Sequence, residues 1–131
     1  MEFNLLAVLL SGVGSMLLGF LWYGPLFSKI WMKESHLSED DVKGGPGTGY
    51  LLTFIAALFM AAITSLLISR LAVTEVMDGL VIGLLIGLGY IATSFASNYI
   101  FGQKTLKLYF IDAGYQVVNV LLATIVIILM G

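Results

Sequence analysis

The sequence contains no cysteine and a single histidine, and both shortages exclude chemistry. Without cysteine the chain has no disulfide, no thiolate nucleophile and no cysteine-ligated zinc site. His36 has Glu39 and Asp40 nearby, but a lone histidine beside acids in a loop is far more often solvated than metal-bound. We therefore expect no metal and no cofactor. With so few reactive groups, the protein is not expected to be an enzyme.

Charged residues are also scarce: they make up 11% of the 131 residues, whereas 60% are hydrophobic and the mean hydropathy is +1.03. Soluble domains are roughly half apolar and a quarter charged, so this chain lacks the residues to cover a water-facing surface. No basic run suggests contact with nucleic acid. We expect residues 1–131 to form a single transmembrane domain in a lipid bilayer.

Four long apolar stretches divide the chain. A helix needs about 20 apolar residues to cross a bilayer, so four spans use most of the length. The sequence predicts an all-α fold, an integral membrane bundle of four transmembrane helices. The expected spans are residues 3–23, 50–71, 75–98 and 106–130. The first is not expected to be a signal peptide, because its early charge is the acidic Glu2 and no small-residue cleavage site follows.

The loop of residues 24–49 joins the first two spans. Residues of the type that anchor a chain at the membrane surface lie around its start: Trp22, Tyr23, Pro25 and Trp31. Apolar residues fall on one side and lysines on the other, which predicts a short amphipathic helix lying on the membrane. The glycine-rich residues 44–49 lack the ending of a phosphate-binding loop, so a flexible linker is the better interpretation.

The basic residues are distributed unevenly between the loops. Three lysines lie in loop 24–49 and two lie near residues 104–107, whereas the opposite side of a four-span bundle has only Arg70. Basic residues favour the cytoplasmic side of a membrane. We therefore expect both lysine-bearing loops in the cytoplasm and both chain termini outside.

Small residues recur every four positions on three of the spans. Such faces let two helix backbones approach closely in lipid, although glycine is common in membrane helices for other reasons too. The residues are Ser11, Ser15 and Gly19, then Ala57, Ala61 and Ser65, then Gly79, Gly83 and Gly87. We interpret them as helix-packing faces, and we expect them also to support self-association into a homo-oligomer.

Polar residues separated by three and four positions share an arc of about 100° on a helix. The last span has one such set: Asp112, Tyr115, Gln116 and Asn119. The third span continues its glycine face with another: Tyr90, Ser94, Ser97 and Asn98. Because the two spans should form an antiparallel hairpin with these sets at matching depth, we predict that they meet in a buried polar seam.

An ionised Asp112 alone at the bilayer centre would cost about 3 kcal/mol, so it must be partnered, hydrated or protonated. One interpretation is a group that binds a proton or a solute. The other is a polar clamp, because hydrogen bonds between helices also hold membrane bundles together. The sequence alone supports both.

The ends of the first and third spans share an order of residues. Each has a tyrosine, then a phenylalanine, then a lysine, and the alignment places Tyr23 opposite Tyr99. A duplicated helical hairpin would explain this order. Shared chemistry at two membrane boundaries explains it as well, and we slightly favour that explanation.

Several stretches resemble one membrane protein family. Trp-Tyr-Gly-Pro-Leu-Phe at 22–27, Asn-Tyr-Ile-Phe at 98–101 and Ile-Asp-Ala-Gly-Tyr at 111–115 are similar to the uncharacterised bacterial family catalogued as domain of unknown function (DUF) 1761. The resemblance spans essentially the whole chain, apart from the glycine-rich linker. It implies a small four-helix protein of the bacterial inner membrane, and it implies no particular activity.

Two functions from different classes fit these features. The first is a small oligomeric permease or channel-like protein with a polar seam around Asp112. The alternative is a structural or regulatory membrane subunit that docks a protein partner through loop 24–49. Solute flux that disappears in Asp112→Asn would favour the first, and co-purification of a fixed partner would favour the second.

Overall fold

The computed structural model describes residues 4–36 and 47–130, and within these ranges the chain forms five helices and no strand. They are α1 (Leu5–Leu26), α2 (Ser28–Ser35), α3 (Gly47–Arg70), α4 (Val76–Phe101) and α5 (Leu106–Met130). All except α2 are long and apolar enough to cross a membrane. The expected all-α fold, with four spanning helices and a short helix between the first two, is therefore confirmed.

The start of α1 is fixed by one side chain. Asn4 caps the helix, because its Oδ1 accepts a hydrogen bond from the backbone N–H of Ala7 at 3.1 Å. The Asn4 amide nitrogen also donates to the carbonyl oxygen of Met130 at 2.9 Å. The same residue thus begins α1 and satisfies a free carbonyl at the end of α5.

A kink at the end of α1 leads directly into α2. The last turn, Trp22–Leu26, is a wider π turn, and Gly24 inside it has φ −100° and ψ −105°, outside the helical range. Pro25 lacks the N–H that a continuing α-helix would need, so the chain changes direction here. α2 then packs against the first turns of α5, where Ile30 and Phe110 line a shared cleft.

α5 lies at the centre of the bundle. It contacts α1, α3 and α4, and it is the most buried of the four spanning helices. Val120 and Thr124 are completely buried in its second half, where Thr124 Oγ1 donates to the carbonyl oxygen of Leu121 at 2.8 Å. This bond within the helix leaves the buried hydroxyl satisfied in an apolar interior.

The small-residue faces pack against neighbouring helices of the same chain. Of the nine residues, only Gly19 is half-buried; the buried ones are Ser11, Ser15, Ala57, Ala61, Ser65, Gly79, Gly83 and Gly87. The backbones of α4 and α5 approach closely at Gly87, where an added Cβ would lie 3.2 Å from Cα of Val117. Neighbouring helices of the same chain therefore cover eight of the nine residues, whereas self-association stays a prediction.

The register of α4 differs from the expectation in its second half. Residues 87–91 form a π turn, which inserts one extra residue and rotates everything that follows by about 100°. The face that packs on α5 therefore passes from Gly87 to Ala92 and not to Tyr90, which is 76% exposed. Ser94 and Ser97 are exposed for the same reason.

We expect cysteine labelling to detect this shift in register. The chain has no native cysteine, so Ser94→Cys and Ala92→Cys each introduce a single reactive group. A membrane-permeable maleimide should label Ser94→Cys readily and Ala92→Cys at least roughly tenfold more slowly, because reactivity follows exposure. A regular helix would give the opposite order, so the reverse ranking would exclude the π turn.

The start of α3 also differs from the sequence-based boundary. The helix begins at Gly47, so the last residues of the expected linker 44–49 are helical. His36 ends α2 in a left-handed conformation with φ 60° and ψ 31°, and it is exposed. Residues 37–46 lie outside the described residues, and with them Glu39, Asp40 and the rest of the expected linker.

Candidate functional site

Asp112 accepts hydrogen bonds from tyrosines of two other helices. Tyr23, in the π turn of α1, donates its hydroxyl to Asp112 Oδ1 at 2.7 Å. Tyr99, near the end of α4, donates to Oδ2. Each carboxylate oxygen therefore has a phenol donor, which offsets the loss of water around a charged group inside the bundle. The carboxylate joins α1, α4 and α5 at one point.

Aromatic rings surround this carboxylate. The Tyr23 ring centre lies 5.4 Å from that of Tyr115 and 5.6 Å from that of Trp31 on α2. The Tyr99 ring packs edge-on against Tyr109 at 5.9 Å. Such tilted contacts are favourable for aromatic pairs, and they hold the two phenol hydroxyls in position.

The expected membrane anchors are part of this packed layer. Trp22 Nε1 donates to the carbonyl oxygen of Ile111 at 2.9 Å, one residue before Asp112. Trp22, Tyr23 and Trp31 are half-buried, and only Pro25 of the four is exposed. The aromatic residues therefore contact α5 and each other, beyond any contact that they make with the membrane surface.

A cleft of about 330 Å³ opens between α1 and α3 next to Tyr23. We call it the hydroxyl cleft; it is lined by Ser15, Met16, Gly19, Phe20, Tyr23, Gly24, Tyr50, Thr53 and Tyr115. Five of these nine side chains carry a hydroxyl group and none is charged. Its volume is at the lower end of the range for small-molecule sites, and its lining suits a neutral solute.

Tyr115 forms the inner wall of the hydroxyl cleft. Its hydroxyl donates to the carbonyl oxygen of Ser15 at 2.9 Å and lies 3.1 Å from Ser15 Oγ. Gly19 leaves room for this ring, because an added Cβ would lie 3.4 Å from the Tyr115 hydroxyl oxygen. Tyr115 and Ser15 are both buried, so this contact fixes α5 against α1 beside the cleft.

The remaining predicted site residues do not all come together. Asn119 is buried and its amide nitrogen lies 3.8 Å from the Met60 sulfur on α3, while Gln116 is half-buried. On α4 the expected partners are exposed: Tyr90, Ser94, Ser97 and Asn98. On α5, Tyr115 contacts α1 and Asn119 contacts α3, whereas Asp112 meets α4 through Tyr99. The prediction of a seam between α4 and α5 is therefore wrong for the four exposed residues of α4. The π turn in α4 is the cause.

For three residues of the site, the sequence pattern predicts roles other than those that the structure shows. Tyr99 was placed outside the polar set, Tyr23 was interpreted as a membrane anchor and Ser15 as a packing residue. The signal that could have linked the two tyrosines is the alignment of the ends of α1 and α4. Both aligned tyrosines donate to the same carboxylate, one to each oxygen.

Comparison with known families agrees with the resemblance noted in the sequence. The model of the family described as "Protein of unknown function (DUF1761)" matches residues 6–128, which include Asp112 and both of its tyrosine partners. No curated protein matches the chain, and no solved structure does. Because the match covers nearly the whole length, the chain belongs to the DUF1761 family, whose function is unknown.

Proposed function

We propose that the protein is a small membrane permease that binds a neutral solute in the hydroxyl cleft and senses its presence through Asp112. The observation that carries the proposal is the double role of Tyr23. Its ring lines the cleft, and its hydroxyl donates to Asp112 Oδ1 at 2.7 Å. The cleft and the half-buried Asp112 therefore share one side chain.

Competition for the Tyr23 hydroxyl would link solute binding to the carboxylate. A solute that accepts a hydrogen bond from Tyr23 removes one of the two donors to Asp112. The freed Oδ1 can then take a proton in place of the lost hydrogen bond, which would couple solute movement to proton movement. The kink at Gly24 and Pro25 borders the same cleft, so a small change there would alter access to it.

The chemistry of the lining defines the solute class. None of the nine described lining residues is charged, which disfavours ions because a buried unpaired charge is costly. Tyr50 and Thr53 line the cleft from α3, and Ser15 and Tyr23 line it from α1. A small neutral molecule with an apolar body and one or two hydroxyl or amide groups fits this arrangement.

We also propose a bacterial inner-membrane location with both termini outside, on the basis of the lysine distribution. A homo-oligomer is not required, because the hydroxyl cleft lies within one chain. The alternative role, a subunit that docks partners through loop 24–49, is weakened because α2 packs against α5.

The proposal is tested by solute-driven proton movement in proteoliposomes. Vesicles that contain the protein and a pH-sensitive dye are mixed with a panel of small neutral alcohols, amides and polyols. At least one should change the internal pH, and Asp112→Asn should reduce the initial rate by roughly tenfold or more, because coupling of this kind is worth 1–3 kcal/mol.

The matched control is Ser97→Ala, which removes a polar group from the exposed face of α4 and should leave the rate unchanged. Rates equal to those of empty vesicles across the whole panel would contradict a permease. A fixed protein partner that co-purifies with the chain would then support the docking role.

A further inference from the structure

A second cleft, on the outside of the bundle, lies where α2 meets the start of α5. Its volume is about 380 Å³, and we call it the lysine cleft. Lys33 borders it from α2 and Lys107 from α5. Phe27, Ile30 and Phe110 supply apolar walls. It shares no lining residue with the hydroxyl cleft, so the two sites are separate.

Among the described residues that line the lysine cleft, two are basic and one is acidic. Neither Lys33 nor Lys107 forms an ion pair with another residue in the ranges 4–36 and 47–130. Glu34 also lines the cleft and offsets one of the two positive charges. Lys107 lies in the first turn of α5, where the helix dipole is itself positive and no acidic residue is present. The cleft therefore favours an anion.

The apolar walls of the lysine cleft favour an anionic group that belongs to a molecule with an apolar part. Ile30 is 46% exposed and Phe110 is 67% exposed, so the cleft continues into an uncovered hydrophobic surface. It lies at the ends of two spanning helices, α1 and α5, which is the level at which lipid headgroups meet acyl chains. Free phosphate would satisfy the lysines but would leave the apolar walls bare.

We propose that the lysine cleft binds the headgroup of an anionic phospholipid, with its phosphate between Lys33 and Lys107. The upper part of an acyl chain then covers Ile30 and Phe110. Basic pockets between helices at a membrane surface recognise anionic lipids in this way. The lipid would also hold α2 against α5, next to Trp31 and the layer of rings around Asp112.

Native mass spectrometry of the full chain in a neutral detergent tests the proposal. Delipidated protein is titrated with phosphatidylglycerol, with phosphatidylcholine of the same acyl chains, and with inorganic phosphate. Phosphatidylglycerol should bind more tightly than phosphatidylcholine. Lys33→Gln and Lys107→Gln should each weaken its binding about fivefold, which corresponds to about 1 kcal/mol for each lysine. Phosphatidylcholine binding should not change.

The matched control is Lys29→Gln, because Lys29 is also exposed on α2 but lines a different cleft, with Pro25 and Leu26. It should leave phosphatidylglycerol binding unchanged. An equal loss in Lys29→Gln would show general surface attraction and overturn the site. Equal affinity for the two lipids would overturn it too. Inorganic phosphate that displaces phosphatidylglycerol at low concentration would assign the cleft to free phosphate.

Discussion

Replacing Gly87 with leucine is expected to lower the free energy of unfolding by about 3 kcal/mol. An added Cβ at this position would lie 3.2 Å from the Cα of Val117, and a backbone atom cannot move aside as the end of a side chain can. The larger side chain must therefore push α4 away from α5. The loss should appear as a lower unfolding midpoint in detergent.

Gly89→Leu provides the control for this substitution. Gly89 lies two residues further along the same helix, is exposed, and has no atom within 4 Å of an added Cβ. Its replacement should not lower the unfolding free energy, because leucine has the higher helix propensity, by up to about 1 kcal/mol, and meets no neighbouring atom. Equal destabilisation by the two substitutions would contradict the close packing of α4 against α5 at Gly87.

Truncating Asp112 to alanine is expected to cost about 2 kcal/mol of stability. The substitution removes the acceptor of two hydrogen bonds and leaves the hydroxyls of Tyr23 and Tyr99 without it. Hydrogen bonds to a charged group are stronger than neutral ones, although those measured in membrane bundles are at the weak end of the range. Chemical or thermal unfolding in detergent measures the change.

Asp78→Ala is the matched control, because Asp78 is an acidic residue of the same type within a spanning helix. It lies in the first turn of α4 and is exposed, so its stabilising effect is limited to the helix dipole. That effect is worth less than about 1 kcal/mol. If Asp78→Ala destabilised the protein as much as Asp112→Ala, the two tyrosine hydrogen bonds would make no measurable contribution to the free energy of unfolding.

The spanning helices could be predicted because their signal is local. Apolar runs of about 20 residues, the polar face of α5 and the small-residue faces all follow from spacing within one helix. The short helix α2 could also be predicted, because apolar residues and lysines fall on opposite sides of it. These features required no knowledge of the neighbouring helices.

The partners of the polar face could not be predicted in the same way. The register of α4 depends on one extra residue in the π turn, and Leu88 and Gly89 carry no local signal that requires it. Tyr23 reaches Asp112 across 89 residues of sequence, and a tyrosine at the end of a span is normally interpreted as a membrane anchor. Both outcomes depend on contacts between helices that are distant in sequence, α4 with α5 and α1 with α5.

The link between the hydroxyl cleft and Asp112 is tested most directly by a double-mutant cycle between Tyr23 and Asp112, measured by unfolding in detergent. Tyr23→Phe, Asp112→Ala and the double variant are compared with the unsubstituted protein. We expect a coupling free energy of about 1 kcal/mol, because the hydrogen bond to Oδ1 is lost in each single variant. Strictly additive effects would contradict this hydrogen bond, since the hydroxyl cleft and the half-buried Asp112 would then share no interaction.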